Sequence, residues 1–395
     1  MAKRIIIDRL SLGDLEVAPA QVWGAIRLVP LIRHNARGNL RLAARKYAEE
    51  ATMVSLDGEL MADGIKYVSY VPHAMVATWS DDGTPTATWG TQMQMPKDGK
   101  QLKNVPIRVL GRMAKRLSDN QVRFLPLHMA MEGFLALHFG GPEIVWSEYS
   151  QQSVSSGLDP RMEYTVPGRM INTLEEALRV FEIHEGQSGV LLFVSDLLAS
   201  AFIVPHPDDY RKLHRTLIED FYGELLYCYS NYYKNVPAFT GKLSKIGVNS
   251  IADIRKAVEN VRQELGVFKK ENMARGLFDR QLKTEFVYQM GGFSLNRFMP
   301  ELKLNDENHI GEFIVSDSGS LEYLKTYHLS KQQTKRAYLL QQLAFANWNF
   351  PQVAENLRIT YENLVERIYR SGLGFLMRST KVQETIRELE RKKKK

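Results

Sequence analysis

The sequence predicts an α+β protein: a large body of mixed strands and helices followed by a small unit of three helices. Three observations predict it. Short stretches rich in β-branched and aromatic residues, separated by Asp-Gly turns, fill residues 3 to about 120. Between about 121 and 320, strand-like runs alternate with capped helical periodicities. From Lys331 to Arg378, three short apolar periods follow one another, each with its own start or stop signal.

In the first region the strand candidates are Ile5 to Leu10, Val22 to Ile32 and Ile65 to Val71, and Gly24 and Pro30 make the second irregular. Asp57-Gly58, Asp63-Gly64 and Ser80-Asp81-Asp82-Gly83 supply turns. Pro106 suits a first helical turn, and Ile107, Leu110, Ala114 and Leu117 follow at helical spacing.

In the second region, Thr173 and Glu176 form a capping box that opens a helix through Phe181. Gly189 to Asp196 and Ala199 to Val204 read as two strands joined by a short turn. Pro207 and Asp208 then start a long helix with Tyr210, Leu213, Leu217, Phe221, Leu225 and Cys228 on one face. That period predicts a buried, inert Cys228. Ser250 and Asp253 cap a further helix whose stripe is Ile254, Val258, Val261 and Leu265. Phe286 to Met290 and Ile310 to Val315 resemble strands, and the turn cluster Ser316 to Gly319 opens a boundary zone reaching about residue 333.

The division expected is thus a strand-rich region over 1–120, a mixed region over 121–320 packed with it, a three-helix unit over 331–378 and a basic tail over 379–395. Five of the positive charges behind the formal +7 lie in Arg391 and Lys392 to Lys395, so the remainder is close to neutral and any polyanion footprint must be local. A single cysteine forbids an intrachain disulfide and fits a reducing, cytoplasmic setting. No apolar run is long enough for a signal core or a membrane span, so a soluble protein without membrane contact is expected.

Motifs for chemistry are scarce. The histidines form no His-Glu-x-x-His pattern, and one cysteine excludes a thiolate zinc cluster. The densest ligand-like group, His206, Asp208, Asp209 and His214, reads as acidic residues complementing a helix N-terminus. No phosphate-binding loop or dinucleotide fingerprint occurs, and Gly133, Gly140 and Gly141 read as turn glycines. Glu132, His138, Glu143, Trp146 and Glu148 sit among apolar residues, as in a polar pocket or, more simply, a surface loop. No catalytic residue, metal or cofactor is assigned, and the chain is read as non-enzymatic.

In the terminal unit the first helix runs from about Gln332 to Ala346, with Ala337, Leu340, Leu343 and Ala344 inward. Asn349 caps the second, Pro351 sits in its first turn, and Val353, Ala354 and Leu357 face the core. Thr360 caps the third, which carries Leu364, Val365 and Ile368 inward before Ser371-Gly372. Asn347, Asn349, Ala354, Leu357, Ile359, Leu364 and Gly372-Leu373 at this spacing resemble the Fis-type helix-turn-helix found at the C-terminus of bacterial enhancer-binding regulators. Two features depart from that family. Arg358 stands where it usually has glycine, and the third helix is not strongly basic. The ATPase domain that usually precedes it is not recognisable here, so polymerase activation is not carried over.

The resemblance implies a DNA-binding regulator or nucleoid-associated factor, dimeric or higher, because one such module contacts only a half-site. It places Tyr361, Glu362, Asn363 and Glu366 as base-reading candidates, with Asn363 suited to adenine. Lys335, Arg358, Arg367, Arg370 and Arg378 are the phosphate-contact candidates. Two other readings compete: a sensor or enzyme for a nucleotide-like ligand with an accessory helical unit, and a structural assembly protein. Residues 185 to 230 also resemble uncharacterised ARPP-type domains, associated with ADP-ribosyl and phosphatase gene neighbourhoods. That similarity rests on two strands then a helix, with Gly189 and Phe202, and supplies no catalytic residues.

Overall fold

Pairing between distant parts of the chain organises the protein. The computed structural model describes residues 10–36, 40–41, 174–229, 249–299 and 301–371, the single positions 241, 373 and 391, and the strands at 4–7, 43–47, 51–55, 74–79, 85–89, 105–106 and 121–124. In chain order the elements begin with β1 (Arg4–Ile7), β2 (Leu15–Val17), β3 (Gln21–Trp23), β4 (Ile26–Arg33), β5 (Ala43–Tyr47) and β6 (Ala51–Ser55). Next come β7 (Ala74–Trp79), β8 (Pro85–Trp89), β9 (Val105–Pro106), β10 (Gln121–Phe124), α1 (Leu174–Val180), β11 (Gln187–Val194) and β12 (Leu197–Ile203). Then follow α2 (Pro207–Thr216), a π-helical turn (Leu217–Phe221), α3 (Gly223–Tyr229), α4 (Ile251–Val267), a second π-helical turn (Phe268–Met273) and α5 (Arg275–Phe278). The chain continues through β13 (Leu282–Met290), β14 (Phe293–Met299), β15 (Asn308–Ser316), β16 (Leu321–Leu329), α6 (Lys331–Phe345), α7 (Phe350–Asn356) and α8 (Tyr361–Arg370).

A ten-stranded antiparallel sheet runs in the order β1-β13-β14-β15-β16-β12-β11-β4-β2, with β3 also paired to β4. It unites strands drawn from residues 4–33, 187–203 and 282–329. Strands β10, β7, β8 and β9 form a separate four-stranded sheet, and β5 and β6 pair alone. The fold is therefore mixed strand and helix, dominated by one large antiparallel sheet.

Both faces of that sheet are covered. On one face Val190, Phe202, Ile314 and Tyr327 join Leu213 and Phe221 from the α2 region and Leu343, Leu364 and Ile368 from the last three helices in one apolar cluster. On the other, Val29, Leu191, Ile203, Phe313 and Leu324 pack with Leu277 and Phe278 of α5. Burial on both sides explains why β11, β15 and β16 are buried nearly end to end instead of alternating. The β11–β12 contact also fixes one glycine, because a Cβ on Gly189 would lie 2.7 Å from the Phe202 carbonyl oxygen.

A row of charges crosses the sheet. Glu285 is opposite Arg297, Arg297 is opposite Glu312, and Glu312 is opposite Lys325, on four adjacent strands. Directly opposed residues share a sheet face, so the alternating signs stand side by side. The row runs inward: side-chain exposure is 28% at Glu285 and 18% at Arg297, while Glu312 and Lys325 are buried. The Lys325 ammonium lies 4.8 Å from the centre of the Phe221 ring, which the first π-helical turn places over it.

Several sequence expectations are corrected here. Val22 to Ile32 is not one strand but the β3–β4 hairpin, turned at Gly24 with φ 58°. Pro106, expected at a first helical turn, lies in β9, opposite Thr86. Cys228 is exposed. The cause is the π-helical turn at Leu217–Phe221, where the Tyr222 amide bonds to the Leu217 carbonyl at 3.0 Å. The extra residue in that turn rotates the inward face onto Tyr222 and Leu226, which are 0% and 1% exposed. Helix α4 forms where its caps predict it, yet none of its residues is buried and Ile254 is 49% exposed. The stretches 65–71, 107–117 and 131–149, and Thr173, lie outside the described residues.

Candidate nucleic-acid interface

Strand β16 leads through Ser330 directly into α6, and local hydrogen bonds set each of the three terminal helices. At α6, the Ser330 hydroxyl accepts from the Gln333 amide while the Gln333 side chain accepts from the Ser330 amide at 2.8 Å, a complete capping box. The Asn349 side chain accepts from the Gln352 amide to start α7. The Thr360 hydroxyl accepts from the Asn363 amide at 3.2 Å to start α8. The turns between helices need left-handed backbone: φ is 48° at Asn347, 61° at Trp348 and 53° at Arg358. Arg358 thus adopts the conformation for which glycine is the usual choice, and the next amide, Ile359, bonds back to the Ala354 carbonyl at 3.0 Å.

Helix α8 is sharply two-sided. Leu364, Val365 and Ile368 are at most 1% exposed, and with Val353 and Ala354 of α7 they join the apolar cluster under the sheet. Of the base-reading candidates, Glu362 and Asn363 are exposed and Tyr361 and Glu366 are half-buried. Among the phosphate-contact candidates, Lys335, Arg358, Arg367 and Arg370 are exposed, and Arg378 lies outside the described residues. Arg370 is ion-paired with Glu366 one turn earlier. That pairing gives the acidic residue a partner and leaves the outward face of α8 of mixed charge.

The structure brings three of these cations together. Lys335 of α6 and Arg367 and Arg370 of α8 line one cleft of 690 Å³, with Arg336 of α6 as a fourth and no carboxylate among the described residues of the lining. Leu339 and Leu357 supply apolar wall. The sequence reading did not single out Arg336. The signal was present in helical spacing, since Gln332, Lys335, Arg336 and Leu339 share one face of α6.

Two other polar groups of described residues contain internal pairs. A cleft beside α5 carries Asp196, Asp279, Asp306 and Glu307 with Arg275 and Arg280, and Arg280 reaches Asp306 at 3.2 Å. The His206 to His214 group is structural. His206 Nδ1 accepts from the Asp208 amide at 3.2 Å, Asp209 is held by Arg41 at 3.0 Å, and His214 Nε2 donates to the Phe181 carbonyl at 2.9 Å. Among the described residues no group of three His, Cys, Asp or Glu is placed to hold a metal, and no helix is long and apolar enough to cross a membrane. The pocket residues suggested within 131–149 lie outside the described residues.

The chain belongs to the ARPP-2 family, whose sequence profile matches residues 10–291. The match includes the β11–β12 hairpin and α2, where the ARPP-type resemblance was read, and ends before β14, so the three terminal helices lie outside it. Neither curated proteins nor solved structures yield a match.

Proposed function

We propose that this protein is a DNA-binding regulator or nucleoid-associated factor that uses α6, α7 and α8 as a helix-turn-helix of Fis type. The observation that carries the reading is the division of α8. It buries Leu364, Val365 and Ile368 and presents Glu362, Asn363, Arg367 and Arg370 outward. A recognition helix needs that arrangement, because its N-terminal outward residues meet base edges while basic residues around it meet phosphates. The left-handed Arg358 supports the resemblance further, since it supplies the backbone conformation that the family's glycine supplies. Asn363 is the residue suited to a bidentate contact with adenine. Glu362 serves the positive end of the helix.

One module covers a half-site, so the reading carries a homodimer with it. The test is duplex binding by the full chain across a salt series. Four exposed cations, Lys335, Arg358, Arg367 and Arg370, predict a slope of log affinity against log salt of about −3 to −4 per half-site. Binding that is absent, or indifferent to salt, would remove the basis for this function.

A further inference from the structure

We propose that Arg27 of β4 and Lys269 of the second π-helical turn form a binding site for one phosphate group, free or carried by a small monoester. Lys269 is 1% exposed, and its ammonium donates a long hydrogen bond to the Ala18 carbonyl at 3.4 Å. The Arg27 guanidinium reaches the same turn, where Nη1 donates to the Met273 sulfur at 3.5 Å. Lys269 and Met273 are the buried residues of that turn, so both cations meet beneath it. Among the described residues no carboxylate forms an ion pair with either cation. Glu271, on the turn itself, is exposed, and Glu16, on β2 beside β4, is paired with His34.

Two like charges held together away from water repel each other, and burial penalises each. The Lys269 ammonium is accordingly brought down to about 8, by burial first and by the Arg27 charge second. A carbonyl and a thioether offset little of this, because neither carries a charge. One phosphate bears nearly two negative charges at neutral pH and so matches the pair. The guanidinium offers its oxygens a fork of parallel donors and the ammonium adds a point charge, which is how Arg and Lys divide the holding of phosphate. A carboxylate brings one charge and would leave one cation uncompensated. Arg27 is half-buried where Lys269 is buried, so the anion enters on the guanidinium side. Met273 belongs to the apolar cluster on the sheet face opposite the terminal helices, and both cations lie within the ARPP-2 match. The site therefore stands whether or not α8 reads DNA.

The experiment is calorimetric titration of the full chain with inorganic phosphate, glycerol phosphate and acetate at fixed ionic strength. The expected result is saturable one-to-one binding of inorganic phosphate or of the monoester, with acetate at least tenfold weaker. Tighter binding of inorganic phosphate assigns the site to the free ion, and tighter binding of the ester assigns it to a monoester. Arg27→Gln and, separately, Lys269→Met should each weaken phosphate binding at least tenfold with the circular dichroism spectrum unchanged. Lys256→Gln, at an exposed position on α4, should leave it within twofold. Thermal melting reads the same site independently: phosphate should raise the midpoint of the native protein and leave that of Lys269→Met where it is. If one variant unfolds, the other decides. No saturable binding of phosphate or monoester at tens of millimolar overturns the proposal. So does acetate binding as tightly as phosphate, or equal weakening by Lys256→Gln, since either would mean general attraction of anions to a basic chain.

Discussion

Lys325 and Glu312 face each other in direct register across β16 and β15, both buried in the central sheet. Burial pushes the Glu312 carboxyl up and the Lys325 ammonium down from their ordinary values, and each partly restores the other's charge. Neither residue has an inexpensive way to lose its partner. Glu312→Gln or Lys325→Met alone should cost about 3 kcal/mol, because each removes one partner of a buried charge, leaving Glu312 with Arg297 or Lys325 with the Phe221 ring. The double substitution should cost clearly less than the sum. A double-mutant cycle by urea unfolding checks this, and strict additivity would mean that the pair does not interact.

A second pair, one ring buried and the other half-buried, contributes to acid stability. His309 and His328 stack edge to face, 5.2 Å between ring centres, and His309 Nε2 donates to the Leu198 carbonyl at 2.9 Å. Burial lowers His309 to about 3 and His328 to about 4, and for His309 the neighbouring His328 lowers it further. Both folded values lie below the unfolded value near 6.5, so the unfolded chain binds the extra protons. Stability is therefore full above about pH 6.5 and is lost as pH falls toward the folded values, by about 1.4 kcal/mol per unit for each ring. Unfolding midpoints at about pH 7 and about pH 5 measure the loss, and His309→Leu should remove about half of this pair's contribution. A midpoint that does not move would show that the rings are not held neutral.

Cys228 gives a kinetic prediction. Its exposure means that a thiol reagent should label the native chain at a rate close to that of the urea-unfolded chain, and Cys228→Ala should change stability by no more than about 0.5 kcal/mol. Slow labelling would restore the inward orientation that the unbroken helical period predicts.

Arg358 supplies a test of the turn. With φ at 53°, Arg358→Gly should raise thermal stability by about 1 kcal/mol, and Arg358→Val should lower it by more. If glycine destabilises instead, the side chain holds the turn through contacts that outweigh its backbone strain.

What was legible in the sequence was local. Ser250, Asn349 and Thr360 cap the helices their side chains predict, because an N-cap needs only residues three positions away. The β11–β12 hairpin was legible for the same reason. Sheet order was not: β12 pairs with β16 and β1 with β13, across more than a hundred residues. Nothing local in Lys325 or Glu312 marks them as opposed and buried; register alone does that. The period through Cys228 misled because one π-helical turn, invisible to a count of threes and fours, rotates everything after it. In the terminal helices the inward and outward sets of α8 were legible, whereas the basic cleft needed two helices to be brought together.

Base reading by α8, as proposed, is decided by one set of titrations. The full-length protein, Asn363→Ala and Arg367→Ala are titrated on a selected duplex and on a scrambled one, with folding checked by circular dichroism. Asn363→Ala should lose about 1–3 kcal/mol on the selected duplex and almost nothing on the scrambled one. Arg367→Ala should weaken both and reduce the salt slope by about one. Equal, weak binding of all three proteins to both duplexes, with the fold intact, would contradict the claim.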